Sequence, residues 1–123
     1  MKYIDIHSHL NMPEFEIDLD ETIIRAGKKE VGIIVVGVNK SSSEKAVKLA
    51  RENKNIWACI GLHPADDPNE TFEYNFYKNL ASDPKVVAIG ECGLDYYHRP
   101  GFDKDRQKAI FEKHIALANE LNK

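Results

Sequence analysis

Four short apolar runs rich in β-forming residues divide the chain into repeating units, and this pattern constrains the fold more than any other feature. The runs are residues 3–6, 31–38, 56–61 and 86–90. Each is followed by a segment whose apolar residues recur at helical spacing. The second run is apolar almost throughout, as in a strand that is covered on both faces of a parallel sheet. The sequence therefore predicts four βα units in an α/β fold.

The predicted helices follow the strands after short connections. The first spans residues 19–29 and the last about 103–121, and acidic residues early in the first helix and lysines late in it suit the helix dipole. The candidate first residues or caps are Ser41, Ser42 or Ser43 for the second helix and Asn69 or Thr71 for the third. Strict alternation with right-handed crossovers implies either a small open doubly wound sheet or part of an eight-stranded barrel.

Both architectures place their chemistry at the carboxyl ends of the strands, and the first strand ends in two histidines. His7 and His9 lie two positions apart. On an extended backbone such residues point the same way, so the two imidazoles can aim at one point. Imidazole pairs are common ligands of zinc and other divalent metals, although a solvated loop is the more frequent setting for so short a motif.

A carboxylate follows the fourth strand directly. Glu91 lies between Gly90 and the glycine at position 93, at the rim that also carries His7 and His9. An isolated glutamate here is more often solvated, but next to two histidines it can bridge two divalent ions about 3.5–4 Å apart. Asp95 can orient one of the metal-binding side chains by hydrogen bonding to it.

The third strand ends at His63, which either contacts a substrate phosphate or makes a structural hydrogen bond. Arg99 can bind a phosphate with two parallel hydrogen bonds, or it is simply a solvated charge. His98 reads as a surface residue and His114 as an ordinary helical residue. No phosphate-binding glycine-rich loop and no Ser-His-Asp arrangement is present.

The charge argues against a protein that binds nucleic acid through an overall basic surface, and the cysteines indicate a reducing environment. A net charge of −3 gives no basic field for gripping nucleic acid, so phosphate contacts have to come from a local site. Cys59 and Cys92 stand apart in apolar runs, which is typical of reduced, buried thiols. No segment resembles a signal peptide or a membrane span. We expect a cytoplasmic protein without a membrane partner.

Three motifs in order resemble the TatD family of the amidohydrolase superfamily, and the likeness covers the whole chain. The motifs are residues 4–10, Gly61-Leu62-His63-Pro64 and residues 87–97. The resemblance implies a TIM-barrel hydrolase that cleaves phosphodiester bonds in DNA with a centre of two divalent metal ions, zinc, magnesium or manganese. It also implies that His7 and His9 hold one ion, that Glu91 is catalytic and bridges to the second, and that His63 and Arg99 lie near the substrate.

Members of that family are about twice as long as these 123 residues. The resemblance therefore implies that residues 1–123 are the N-terminal half of a barrel domain, a parallel (β/α)4 unit, and that the remaining ligands belong to later strands. Such a half has two open edges, so we expect self-association or poor stability. Because the remaining ligands are missing, we expect no activity from it alone. Two alternatives stay open, a metallohydrolase of small phosphoesters or amides and a folded fragment without catalysis.

Overall fold

A computed structural model describes residues 1–98 and 104–123, and in them four strands alternate with four α-helices. In chain order the elements are β1 Tyr3–Ser8, a 3-10 turn Pro13–Phe15, α1 Leu19–Lys28, β2 Val31–Val36, α2 Lys40–Glu52, β3 Ile56–Ile60, α3 Tyr74–Leu80, β4 Val86–Ile89 and α4 Lys104–Leu121. The strands form one sheet in the order β1-β2-β3-β4, and every neighbouring pair is parallel. The predicted α/β fold with four parallel βα units is confirmed.

The core lies between the sheet and its helices and is centred on β3. Alternate residues of this strand are fully buried because helices pack against the sheet there. Other fully buried apolar side chains are Val35, Ala46, Ala50, Leu62, Tyr77 and Leu117. These residues belong mainly to two strands and three helices. The carboxyl end of β3 is therefore packed against several elements.

Helix α2 begins at Lys40, so the predicted cap at Ser41, Ser42 or Ser43 is wrong. Its N-cap is Asn39, whose side chain accepts a hydrogen bond from the Ser42 amide at 2.8 Å. The Ser42 hydroxyl accepts in return from the Asn39 amide at 3.0 Å, which completes a capping box. The Val38 amide also donates to that hydroxyl, so β2 ends at Val36 rather than at Val38 as predicted.

Helix α3 begins at Tyr74, so the predicted start at Asn69 or Thr71 is wrong. The Asp67 carboxylate accepts a hydrogen bond from the Asn69 amide, which holds this stretch in a turn. The Phe72 side chain lies in the core, with its ring stacked on Tyr77 at a centroid distance of 4.6 Å. Residues 69–73 therefore form a non-helical segment that places the Phe72 side chain in the core, and helix α3 begins after it.

Strands β1 and β4 are the two edges of the sheet, as the half-barrel interpretation predicts. Strand β1 is exposed on nearly its whole length: Tyr3, Ile4 and Ile6 are 68%, 49% and 72% exposed. In β4, Val87 is 40% exposed. None of the helices in the described part of the chain combines the length and apolarity that a membrane span requires.

Candidate metal centre

The carboxyl ends of the strands converge more closely than a flat sheet allows. The Glu91 amide, after β4, donates to the carbonyl of Gly37, after β2, at 3.0 Å. These strands are two positions apart in the sheet, which is roughly 9–10 Å between backbones when a sheet is flat. The sheet therefore curls at this end. Curling is the geometry of a barrel wall, and it brings residues from both edges to one place.

His7 and His9 form the first part of this place. His7 belongs to β1 and His9 follows it directly, so both side chains leave the backbone on the same side. Their Nε2 atoms lie 3.2 Å apart, and the rings meet edge to face. The predicted convergence of the two imidazoles is present in the structure.

A second hydrogen bond orients the His9 ring. Its Nδ1 donates to the carbonyl of Val36 at 3.1 Å, since a carbonyl oxygen can only accept. In a neutral ring the Nε2 then carries the lone pair, which is the form that binds a metal ion. Metal-binding histidines usually have such a partner behind them.

Glu91 completes the cluster from the other edge of the sheet. Its Oε2 lies 3.4 Å from the His7 Nε2 and 3.7 Å from the His9 Nε2. Its Oε1 points towards His63, whose Nε2 is 3.7 Å away. The two carboxylate oxygens thus face different neighbours, which is the arrangement that a bridging carboxylate needs.

His63 differs from the other two histidines in what its Nε2 presents. The His63 Nδ1 accepts a hydrogen bond from the Ala65 amide at 3.1 Å, so the proton of a neutral ring is on Nε2. His63 therefore offers an N–H donor towards Glu91 and the open space beside it, where His9 offers a lone pair. A donor of this kind suits a phosphate or carboxylate oxygen rather than a metal ion.

The spacing of three ligand atoms fits one metal ion. One ligand atom from each of His7, His9 and Glu91 lies within 4.8 Å of the others. Ligands at 2.0–2.1 Å around a tetrahedral ion are about 3.3–3.4 Å apart, and the separations of 3.2, 3.4 and 3.7 Å bracket this value. Two imidazole nitrogens and a carboxylate oxygen also form a common donor set for divalent metals. The residues present fit a divalent ion.

An open cleft of about 560 Å³ adjoins the cluster. Its lining includes His9, His63 and Glu91 together with Glu14 and Asp66. Among the described residues the charged lining is thus acidic apart from the histidines. A negatively charged ligand would meet repulsion here unless a cation were bound.

The structure does not bring Asp95 to the cluster. Its carboxylate accepts hydrogen bonds from the amides of Tyr97 and His98, at 3.0 Å each, and from the His98 ring at 2.7 Å. The His98 amide and ring lower the pKa of Asp95 to about 2. These contacts organise the loop after β4, and His98 is exposed as predicted. Arg99 lies outside the described residues.

His114 is a buried residue that the sequence interpretation missed. It is 1% exposed, and both ring nitrogens are hydrogen-bonded, Nε2 to the Leu62 amide at 2.9 Å and Nδ1 to the Ile110 carbonyl at 2.8 Å. It lies in the last helix, as expected, but its burial and its two hydrogen bonds were not predicted. Its position, four residues after Ile110 and three before Leu117, places it on the buried face of α4 and could have revealed it.

The two cysteines are free, as predicted, but they are partly rather than fully buried. Burial raises the pKa of Cys59 to about 12 and also raises that of Cys92, which disfavours the thiolate form of both. The negative charge of Glu91 acts in the same direction on both thiols. Because a thiol binds metal as the thiolate, the histidines and the glutamate remain the donors of this site.

Comparison with known proteins gives consistent matches. A family model described as TatD related DNase matches residues 4–123. An uncharacterized metal-dependent hydrolase of Bacillus subtilis, YabD, is 43% identical over 96% of this chain and 47% of its own length. The 3'-5' ssDNA/RNA exonuclease TatD of Shigella flexneri is 36% identical over 96% of this chain and 46% of its own length.

A solved structure gives the same result for the fold. The crystal structure of YJJV, a TatD homolog from Escherichia coli, superposes with a TM-score of 0.84 at 28% identity, covering 98% of this chain and 48% of that one. The chain spans about half the length of the curated relatives it matches.

Proposed function

This chain belongs to the family of TatD related DNases, and from that premise we propose that its histidine and glutamate cluster is part of a divalent-metal site that cleaves phosphodiester bonds in single-stranded nucleic acid. The observation that carries the proposal is the set of three ligand atoms of His7, His9 and Glu91 at the spacing of one coordination sphere. The relatives named as exonucleases support a substrate of single-stranded DNA or RNA that is shortened from the 3' end.

A bound divalent ion supplies charge stabilisation and a nucleophilic water near neutral pH. The protein residues do the rest. His7 and His9 would hold the ion through their Nε2 atoms, and the Val36 carbonyl fixes the ring of His9. Glu91 directs Oε2 to the imidazoles and Oε1 to His63, and its carboxylate would hold the metal centre together with the two histidines.

His63 is the residue that we expect to contact the scissile phosphate. Its Nε2 carries the proton, and the ring lies on the wall of the cleft beside Glu91. Such an N–H donor can bind a phosphate oxygen and stabilise the negative charge that grows on it in the transition state. Arg99 remains a proposed second phosphate contact.

The acidic lining of the cleft bears on how a polyanion binds. Glu14, Asp66 and Glu91 face the same space, and the chain has a net charge of −3. Without cations this surface repels DNA, and with them it gains the positive charge that phosphates require. We therefore expect nucleic-acid binding itself, and not only cleavage, to depend on divalent metal.

We also propose that the 123 residues alone do not complete the catalytic centre, because Glu91 and the two histidines leave coordination positions open in the described part of the chain. The test compares this chain with one extended to its relatives' length, with the added half taken from the Bacillus subtilis hydrolase. Both are incubated with Mg²⁺, Mn²⁺ or Zn²⁺ and a single-stranded oligonucleotide labelled at its 5' end. A circular single strand, which has no ends, is the substrate control.

We expect the extended chain to give a ladder that shortens from the 3' end and this chain to give none. Glu91→Gln and His7→Ala should each abolish cleavage, whereas Glu14→Gln, the same chemical change in the same cleft, should retain most of it. If this chain cleaves unaided and both substitutions stop it, the proposal of an incomplete centre is wrong. Hydrolysis of small phosphoesters or amides without cleavage of DNA would favour the first alternative function, and no hydrolysis by either chain would favour a non-catalytic fragment.

A further inference from the structure

The peptide unit between Gly61 and Leu62, just after β3, is held by side chains from three different helices. The Gly61 carbonyl accepts from the hydroxyls of Tyr77 in α3, at 3.2 Å, and Ser43 in α2, at 3.3 Å. The Leu62 amide donates to the Nε2 of His114 in α4, at 2.9 Å. The three side chains are at most 1% exposed. Buried side chains therefore satisfy both polar groups of this peptide in place of a neighbouring strand.

Both nitrogens of the His114 ring are already used in hydrogen bonds. Its Nδ1 donates to the Ile110 carbonyl, so the Nε2 of the neutral ring is an acceptor and is used by Leu62. The ring also packs against Phe72 at a centroid distance of 4.2 Å. Burial lowers the pKa of His114, which favours the neutral form that this pair of hydrogen bonds requires. With both nitrogens occupied, the ring is neither a metal ligand nor a proton carrier.

The held peptide lies directly before the functional part of the loop. His63 follows Leu62, and its own amide donates to the Val38 carbonyl at 2.7 Å. On the other side, a Cβ at Gly61 would lie 2.7 Å from the carbonyl carbon of Gly90, the residue that precedes Glu91. The Gly61–Leu62 peptide is thus joined directly to His63, and the backbone at Gly61 lies close against the residue before Glu91.

We propose that Ser43, Tyr77 and His114 are positioning residues that fix the Gly61–Leu62 peptide and thereby aim the Nε2–H of His63 beside Glu91. The part of this inference that concerns substrate rests on the proposed function, while the part that concerns geometry does not. An apolar residue at position 114 would fill the same space but leave the buried Leu62 amide without an acceptor.

The first test is nuclear magnetic resonance of the full 123-residue chain labelled with ¹⁵N. In His114→Leu we expect the Leu62 amide to exchange with solvent at least tenfold faster relative to other core amides, and the ring nitrogens of His63 to shift away from a single Nε2–H tautomer. In His114→Gln the amide oxygen is as many bonds from Cα as Nε2 is, so both signals should return towards those of the wild type.

Two further variants separate positioning from general stability. Ile110→Val weakens the same helix without touching the peptide, so it should accelerate exchange of all core amides together. Tyr77→Phe removes the hydroxyl that donates to the Gly61 carbonyl and that also lies 3.4 Å from the Glu70 carboxylate. It should shift the Leu62 amide ¹⁵N resonance even if His114→Leu fails to fold. If Leu62 and His63 respond no more than the rest of the core in Tyr77→Phe and His114→Leu, or if Gln does not restore them, the inference is wrong.

Cleavage by the extended chain is the second readout. There His114→Leu should lower kcat/KM for the oligonucleotide at least tenfold, and His114→Gln should recover most of the loss. If the resonances respond as expected but no version cleaves nucleic acid, the proposed function fails and the positioning role stands. If cleavage is normal in His114→Leu while the resonances move, the link from this peptide to the reaction is overturned.

Discussion

Strands β1 and β3 both carry isoleucine side chains, but in opposite surroundings. In β3, Ile56, Ala58 and Ile60 are fully buried, whereas Ile4 and Ile6 in β1 are 49% and 72% exposed. Strand β3 has a strand on each side and helices over it, and β1 has one neighbour, β2. Residue type therefore predicts that a segment forms a strand, whereas the strands and helices next to it determine how far its side chains are buried.

The same contrast divides the candidate site. His63 follows the buried strand and comes directly after a peptide that side chains of three helices hold, while His7 belongs to the exposed edge and its side chain is 52% exposed. Glu91 connects the two parts because it reaches both histidine groups. One part of the site is built on the core, and the other depends on an edge strand.

The largest effect should come from shortening a side chain in the buried strand. Ile60→Ala removes fully buried methyl groups, so we expect the free energy of unfolding to fall by about 2–5 kcal/mol. Ile6→Ala, the matched change in β1, should cost less than about 0.5 kcal/mol. Urea denaturation of both variants measures the difference, and equal losses would remove the contrast between the two strands.

The next effect concerns the open edges. We expect two copies to pair β1 of one with β4 of the other, since both edges carry unpaired backbone groups and apolar side chains. Ile6→Lys should weaken this self-association at least tenfold, while Ile17→Lys, at a fully exposed isoleucine outside the sheet, should not. Sedimentation over a micromolar concentration range reports both. A stable monomer of the wild-type chain at those concentrations would contradict the expectation.

A smaller effect is the dependence of the free energy of unfolding on pH through the buried His114. Burial lowers the pKa of His114, so the unfolded chain binds its proton first, and stability is full above the ordinary pKa of about 6.5. Stability should then fall as the pH drops from there towards the folded-state pKa, by at most about 1.4 kcal/mol per pH unit. The nearby Tyr77 hydroxyl stays neutral because burial raises its pKa.

The control for that measurement is His114→Gln, which keeps the hydrogen bond to Leu62 and does not titrate. Subtracting its unfolding free energy from that of the wild type at each pH isolates His114 from the four other histidines. A flat difference between pH 7 and pH 5 would show that protonation of His114 is not coupled to folding.

Much of the fold could be predicted because its signals are local. Apolar runs and helical periodicity predict all four strands and helices, and the pair of histidines two residues apart predicts their convergence. The start of α3 was missed because Phe72 is drawn into the core by contacts that lie far away in the sequence. The role of His114 was missed for the same reason, since its partner Leu62 is 52 residues distant.

The approach of Glu91 to His7 depends on the curl of the sheet. Periodicity places both at strand ends but does not distinguish an open sheet from a barrel wall. The hydrogen bond between the Glu91 amide and the Gly37 carbonyl makes that distinction, and it is a property of the assembled sheet. The resemblance to a barrel family indicated the same geometry from motif order.

The most direct test of the metal site is calorimetric titration of Zn²⁺ and Mn²⁺ into the wild-type chain, His9→Ala, Glu91→Gln and Glu14→Gln. His9 and Glu91 provide ligand atoms, whereas Glu14 only lines the cleft. The account predicts binding to the wild type, an affinity at least about tenfold lower in the first two variants, and nearly unchanged binding in Glu14→Gln. Absence of binding to the wild type, or equal binding by all four proteins, would contradict it.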